Sequence, residues 1–478
     1  MTHETLFKNL KKDFGYSPTE DQHQALKNLS KYLVNQDNEQ IFLVKGYAGT
    51  GKTTIISTLV KNLSKLRLKA SLMAPTGRAA KVMSNYSGKS AQTIHKAIYY
   101  PQKNSKGGVN FVQKDNKFRN TVFIIDEASM IPDFSSGDDL FSGNSLLDDL
   151  IEYVFSGENC RLILIGDTAQ LPPVKAELSP ALDEAILSRK YHTRVIPIEL
   201  TSVVRQELDS GILRNATEMR NGLQNEFAES FTFNLHGQTD LIRLIDGYEI
   251  MDAINSAYDN DGHEETAIVV RSNKRANQYN QQIRQRILRR EGEIAVGDFL
   301  MVVKNNYYWL KPSSEAGFIA NGDIIEIKKV RGLYDLYGFR FAKIKAQMVD
   351  YPDMNAFETV IILDTLNSNA PSLTYKQSQE LYQEVMKDYA DITSKYKKFL
   401  KVKGNAFFNA LQVKFSYAMT CHKSQGGQWN TVFVEQPYLP EGLDESSLRW
   451  LYTACTRAKT KLYLIGFQNE FFETQAEY

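Results

Sequence analysis

An α/β fold of two parallel-sheet lobes with smaller β-rich insertions is predicted by three features of this 478-residue sequence. Short apolar runs recur at 41–44, 121–125 and 161–165, and again at 266–270, 415–419, 431–435 and 461–466. Such near-continuous runs suit strands buried on both faces of a parallel sheet. The first run opens into a glycine-rich loop, GYAGTGKTT at 46–54. Residues 297–350, by contrast, alternate polar and apolar positions around an Asn321-Gly322 turn, the pattern of a small β-barrel.

The length exceeds what one hydrophobic core supports and suggests roughly three domains. Charged residues make up 24% and hydrophobic residues 42%, as in ordinary soluble globular proteins. With a net charge of +1, any nucleic-acid surface has to be a local patch. No apolar run reaches the length of a membrane span, and the N-terminal MTHETLFKNLKKDFG lacks a signal peptide's apolar stretch. Cys160, Cys421 and Cys455 form no C-x-x-C, so neither a disulfide framework nor a zinc site is expected. The expectation is an intracellular, cytoplasmic protein with no membrane role.

The pattern G-x-x-x-x-G-K-[ST] is met by Gly46, Gly51, Lys52 and Thr53, directly after a strand-like run. A strand turning into a helix through glycines aims backbone N–H groups and the positive helix end at one point, a phosphate site. Lys52 is expected to meet the β- and γ-phosphates of ATP, and the Thr53 hydroxyl to ligate Mg²⁺. Ala48, Gly49, Thr50 and Thr54 complete the loop and the first helical turn.

The strand TVFII at 121–125 ends in Asp126 and Glu127. One acid at such a strand end can hold Mg²⁺ and its neighbour can polarise the attacking water, so Asp126 is assigned to the metal and Glu127 to the base. A further strand, 161–165, runs into GDTAQLPPV, which places Asp167 and Gln170 at the carboxyl end of the sheet, where open α/β folds bind ligands. The second half carries no other phosphate loop. Its lobe can only complete the site of the first.

Four other segments carry weaker signals. Residues 96–120 read as a hairpin, with stretches at 98–100 and 109–112 around a Ser105-Lys106-Gly107-Gly108 turn. Residues 271–290 hold seven Lys or Arg and no acid, which fits either a phosphate-tracking helix or a solvated one. The stretch 133–150 holds five Asp and reads as a solvent-facing loop followed by a helix. Residues 372–403 have helical pattern and end in five lysines.

The ordered set GYAGTGKTT, APTGRAAK (74–81), TIH (93–95), IIDEAS (124–129), GDTAQLPP (166–173), TCHKSQG (420–426) and YTACTRAK (452–459) resembles the superfamily 1 helicases, within them the B-subclass branch of RecD and phage Dda. The resemblance implies two RecA-like P-loop NTPase lobes with an inserted hairpin and an inserted SH3-like barrel. The implied division is 1–195 for the first lobe, with the hairpin at 96–120, then 196–296 and 412–478 for the second lobe, with barrel and helical extension at 297–411. It further implies an ATP-dependent, DNA-stimulated motor moving 5′ to 3′ on single-stranded DNA.

Carried over by motif, Gln22 in SPTEDQ reads adenine, Gln170 senses the γ-phosphate, Arg205 in ELTSVVRQ and Arg457 reach that phosphate from the second lobe, and Gln425 and Gly426 lie beside the nucleotide. Pro75, Thr76, Arg78, Thr93, His95, Thr420, His422 and Lys423 line the strand channel, and Phe111 sits where the branch places an aromatic wedge against the last base pair. Cys421 stands where the family more commonly has an aliphatic residue. Implied partners are single-stranded DNA, its junctions with duplex, and a single-strand-binding or replication and repair protein, with the chain itself monomeric. An RNA or RNA–DNA hybrid helicase, and a remodelling ATPase that does not unwind, stay open as alternatives.

Overall fold

The computed structural model describes residues 1–473 except 36, 38, 104–108, 135–143, 175, 204–209, 226–227, 312–313 and 441, with backbone alone for 101–103, 109–111 and 228. The strands in chain order are β1 (Gln40–Gly46), β2 (Lys69–Ala74), β3 (Ala91–Thr93), β4 (Tyr99–Lys103), β5 (Val109–Gln113), β6 (Thr121–Ile125), β7 (Arg161–Gly166), β8 (Arg194–Leu200), β9 (Leu241–Leu244), β10 (Thr266–Val270), β11 (Phe299–Val302), β12 (Ile324–Leu336), β13 (Phe339–Met348), β14 (Phe357–Ile362), β15 (Leu411–Phe415), β16 (Ala418–Thr420), β17 (Trp429–Glu435) and β18 (Ala458–Ile465).

The first lobe is a six-stranded sheet in the order β3-β2-β6-β7-β1-β8, parallel throughout. Every residue of β6 and β7 is buried, which is why their sequences read as unbroken apolar runs. The second lobe repeats the plan with five parallel strands, β16-β10-β17-β18-β9. Between β10 and β16 the chain leaves the sheet to build a closed barrel, β11-β12-β13-β14-β15. Its β13 shows the half-buried alternation of a strand with one wet face.

Barrel and second lobe share one apolar core: Ile268 and Val270 of β10 join Val302, Ile325 and Ile344 of the barrel in a single cluster. The barrel is therefore fixed on that lobe. A separate cluster on the other side of the sheet takes in Tyr47, Ala169 and Leu171 from the first lobe. Helices Tyr375–Lys387 and Lys395–Lys403 extend the barrel and bury Leu381, Val385 and Val402 against its Phe341 and Ile362.

Several boundaries differ from the sequence reading. β8 pairs with β1, Ile198 opposite Val44, so the first sheet runs past residue 195 to Leu200. The segment 415–419 divides: Phe415 ends a barrel strand, and β16 starts at Ala418. The edge strand β9 went unread because LIRL is too short and too mixed to show a period.

Three of the seven basic residues of 271–290 serve the fold in ion pairs. Arg284 is buried in an ion pair with Asp298 at 2.9 Å, Arg290 joins the same carboxylate at 2.8 Å, and Arg275 pairs with Glu435. The acidic stretch 133–150 also does more than face solvent. Asp148 closes a capping box with Ser145 on helix Leu146–Phe155, and Asp149 is buried and accepts from the Tyr99 hydroxyl.

Candidate active site between the lobes

The glycine loop joins β1 to helix Lys52–Leu63, whose N-cap is Gly51 at φ 82°, a left-handed conformation that a side chain strains. A Cβ on Gly46 would stand 3.0 Å from both the Thr50 hydroxyl and the Lys52 Cγ, so the loop closes only around glycine there. Lys52 Nζ donates to the carbonyls of Gly46 (2.6 Å) and Tyr47 (2.8 Å), which holds the ammonium over the loop. Gly49 is left-handed as well, and Thr53 and Thr54 follow on the first helical turn. Gln22 is buried against this loop: its Nε2 donates to Thr50 O at 2.9 Å, and its Oε1 accepts from Thr19 N at 3.0 Å.

Asp126 and Glu127 leave β6 at the adjacent strand end. The Asp126 backbone N–H donates to Met73 O at 3.1 Å, and its side chain accepts from Glu127 N (2.9 Å) and from the Tyr86 hydroxyl (2.7 Å). Burial and the two neighbouring carboxylates keep the Tyr86 phenol protonated far above its ordinary range. Glu127 sits at φ 53°, an uncommon conformation for a residue with a side chain. Burial raises its pKa; the Arg457 and Lys52 charges pull it back down, while Asp126 and Asp167 push it up. The base candidate thus feels the phosphate loop and an arginine of the other lobe at once.

The second lobe meets this edge through helix Glu445–Cys455. The Tyr452 hydroxyl donates to Asp167 at 2.7 Å and accepts from Ala48 N of the phosphate loop at 2.9 Å. Thr453 Oγ1 accepts from Leu171 N (2.9 Å), and Gln425 Nε2 donates to Leu171 O (2.8 Å). Arg457 is buried, held by the carbonyls of Thr453 (2.9 Å) and Gly427 (3.2 Å). Gln170 is buried with its Oε1 lacking a partner among the described residues. Three residues past Asp167, this buried acceptor is open to a water's O–H. Arg205 lies outside the described residues.

The channel residues divide into two groups. Pro75, Thr76, Thr93 and His95 line one cavity of about 330 Å³, which Phe318 and Asn321 of the β11–β12 connection also line. Thr76 also caps helix Gly77–Ser87, so the positive end of that helix meets the cavity. Burial drops the His95 pKa to about 4, leaving it neutral. Thr420, His422 and Lys423 do not line this cavity; they lie on and around the short helix Cys421–Ser424 of the second lobe, where burial lowers the Lys423 pKa to about 8. The Arg78 guanidinium stands 4.1 Å over the Trp429 ring and donates to Gln428 O, which makes it an interlobe contact. Gly426 packs there too: an added Cβ would fall 2.9 Å from Ala79 Cβ. Cys421 is buried, its thiol against Trp450 O. The Phe111 side chain lies outside the described residues, while its backbone pairs with Pro101 across the hairpin.

Two residues of the site escaped the sequence reading. Tyr452 is inside YTACTRAK, five positions before Arg457, and its motif membership was the available signal. Tyr86 follows Thr76 by ten residues on one helix, and no local pattern marks it.

Two parallel-sheet lobes, one phosphate loop, and in the other lobe a buried Arg457 whose charge acts on Glu127, make up a two-lobed helicase-type ATPase. Residues 18–237 match the family model for an AAA domain, and residues 415–465 match a UvrD-like helicase C-terminal domain. The ATP-dependent DNA helicase dda of Enterobacteria phage T4 is 25% identical over 475 residues, covering 94% of this chain and 99% of that relative. The ATP-dependent RecD2 DNA helicase of Deinococcus radiodurans is 32% identical over 184 residues, 38% of this chain and 22% of that relative. Among solved structures, Pif1 helicase from Bacteroides with ADP-AlF3 and ssDNA is similar over 96% of this chain and 95% of its own, at 15% identity and a TM-score of 0.42. The chain belongs to the superfamily 1B helicases of the RecD and Dda type. Among the described residues no helix is long and apolar enough to cross a membrane.

Proposed function

We propose that this ATP-dependent DNA helicase moves 5′ to 3′ along single-stranded DNA and parts the duplex at the β4–β5 hairpin. The observation that supports the reading is Tyr452 of the second lobe, bonded to Asp167 and to Ala48 N of the phosphate loop, where the charges of Lys52 and Arg457 both act on Glu127.

Within that cleft Lys52 and the N–H groups of the loop hold the phosphates, and Gln22 steadies the loop from the adenine side. Thr53 and Asp126 are the residues that would hold Mg²⁺, which when bound neutralises charge on the β- and γ-phosphates. Glu127 takes the proton of the attacking water, and its raised pKa suits that task. Gln170 orients the water, whose O–H donates to its unpartnered Oε1. Arg457, with Arg205, stabilises charge that develops on the transferred phosphoryl group. Because these arginines belong to the other lobe, hydrolysis and lobe closure are one event.

Each closure draws the second lobe's Thr420, His422 and Lys423 toward Pro75, Thr76, Thr93 and His95. Contacts of this kind hold phosphate and sugar and carry no sequence information. Strand displacement on duplexes with a single 5′ or 3′ tail tests the reading: unwinding is expected from the 5′ DNA tail. Unwinding from the 3′ tail alone removes the polarity, and a preference for an RNA tail of equal length removes the substrate.

A further inference from the structure

Tyr86 lies outside every residue so far given a role, yet its hydroxyl donates to Asp126 Oδ2 at 2.7 Å. It occupies the last turn of helix Gly77–Ser87, whose first residues face the strand cavity and the second lobe: Thr76 is its cap, and Ala79 packs against Gly426. Eleven residues of α-helix span about 16 Å. Ala79 and Ala80 cluster with Ala74, and Met83 with Leu72, on the sheet side, while Gly77 faces Asp323 of the barrel; a continuous hydrogen-bonded helix can carry a displacement along its axis. A shift at one end therefore reaches the other.

We infer that Tyr86 is a positioning residue that ties this strand-facing helix to the Asp126 carboxylate, so that DNA binding resets the oxygen offered to Mg²⁺. The inference rests on the proposed roles of Asp126 and Thr76. The physical ground is that a hydrogen bond to a ligating carboxylate fixes its rotamer and occupies one lone pair of the donating oxygen; loss of such outer partners changes metal affinity by about 10- to 100-fold. The other Asp126 oxygen is already fixed by Glu127 N within the same strand end, so among the described residues Tyr86 is the partner of the side chain that another element could move.

The test reads binding, not turnover. Affinity for a fluorescent mant-ADP is titrated with Mg²⁺, with and without a single-stranded oligonucleotide, for wild type, Tyr86→Phe and Asp126→Asn. Tyr86→Phe keeps the ring and its packing. Wild type is expected to show a Mg²⁺ midpoint that DNA shifts. In Tyr86→Phe the midpoint moves about tenfold and DNA no longer shifts it, while affinity for mant-ADP in EDTA stays at the wild-type value. A midpoint and DNA shift equal to wild type would overturn the inference, and so would equal loss of mant-ADP affinity with Mg²⁺ and in EDTA, which makes Tyr86 a packing residue only. If instead Asp126→Asn leaves the midpoint untouched, the assignment of the metal to Asp126 fails, and that failure is separate from the behaviour of Tyr86→Phe.

Discussion

The Tyr452 hydroxyl donates to the buried carboxylate of Asp167 across the lobe boundary, at 2.7 Å, while accepting from Ala48 N of the phosphate loop. One oxygen, on the helix that ends two residues before Arg457, thus joins the residue after β7 to the nucleotide loop. Burial and the neighbouring Asp167 charge hold this phenol protonated, so it stays a donor.

Tyr452→Phe should weaken closure rather than folding. Within the closed cleft it leaves Asp167 and Ala48 each short of a partner, a cost of about 1–3 kcal/mol, whereas in an opened cleft water can serve both. The expected result is a fall of about tenfold in DNA-stimulated kcat with the melting temperature nearly unchanged. Steady-state kinetics beside a thermal melt decides it; an unchanged kcat would show that the bond does not couple the lobes.

The buried Asp298 is a stability prediction. It accepts from Arg284 and Arg290, from the Tyr417 hydroxyl at 3.0 Å and from Ala295 N at 2.7 Å, where the second lobe joins the barrel. Asp298→Asn strands the buried Arg284 charge and should cost about 3–5 kcal/mol in urea unfolding. Asp298→Asn combined with Arg284→Met should recover part of that loss.

Asp323 makes stability depend on pH. Burial raises its pKa from 3.8 to about 8; its Oδ2 accepts from Ala320 N, and its Oδ1 has no partner among the described residues and faces Gly77 at the seam between barrel and first lobe. Between pH 3.8 and about 8 the native state holds a proton that the unfolded chain has released. Stability therefore falls as pH rises through that window and the contribution is gone above it. Wild type should lose melting temperature from pH 6 to 9 more steeply than Asp323→Asn, which stays neutral; parallel slopes would contradict this.

The hairpin is braced at its base by Asp149. The Tyr99 hydroxyl donates to Asp149, and Gln113 Nε2 donates to Asp149 O at 2.6 Å. If Phe111 stacks on the last base pair, Phe111→Ala removes about 1–3 kcal/mol of stacking. Unwinding should drop about tenfold with DNA-stimulated ATPase largely intact, and equal loss of both activities counts against the wedge.

What could be read from the sequence follows from the range of the forces involved. The phosphate loop, the acidic strand end and the parallel strands were legible because glycine conformation, helix polarity and burial act over a few residues. Arg284 was not, since a run of arginines looks solvated until Asp298, fourteen residues on, is folded against it. Asp149 was hidden in the same way inside an acidic stretch that its partner Tyr99 precedes by fifty residues. At the site, Gln425 and Arg78 turned out to contact Leu171 O and Trp429 across the lobe boundary, relations that no local pattern encodes.

In the proposed mechanism one cleft, charged by ATP at Lys52, drives strand separation. Unwinding of a 5′-tailed duplex and ssDNA-stimulated ATP hydrolysis should be measured in parallel for wild type and Lys52→Ala. Wild type is predicted to hydrolyse ATP faster with single-stranded DNA and to unwind, with both activities lost together in Lys52→Ala; unwinding that survives Lys52→Ala would contradict the account.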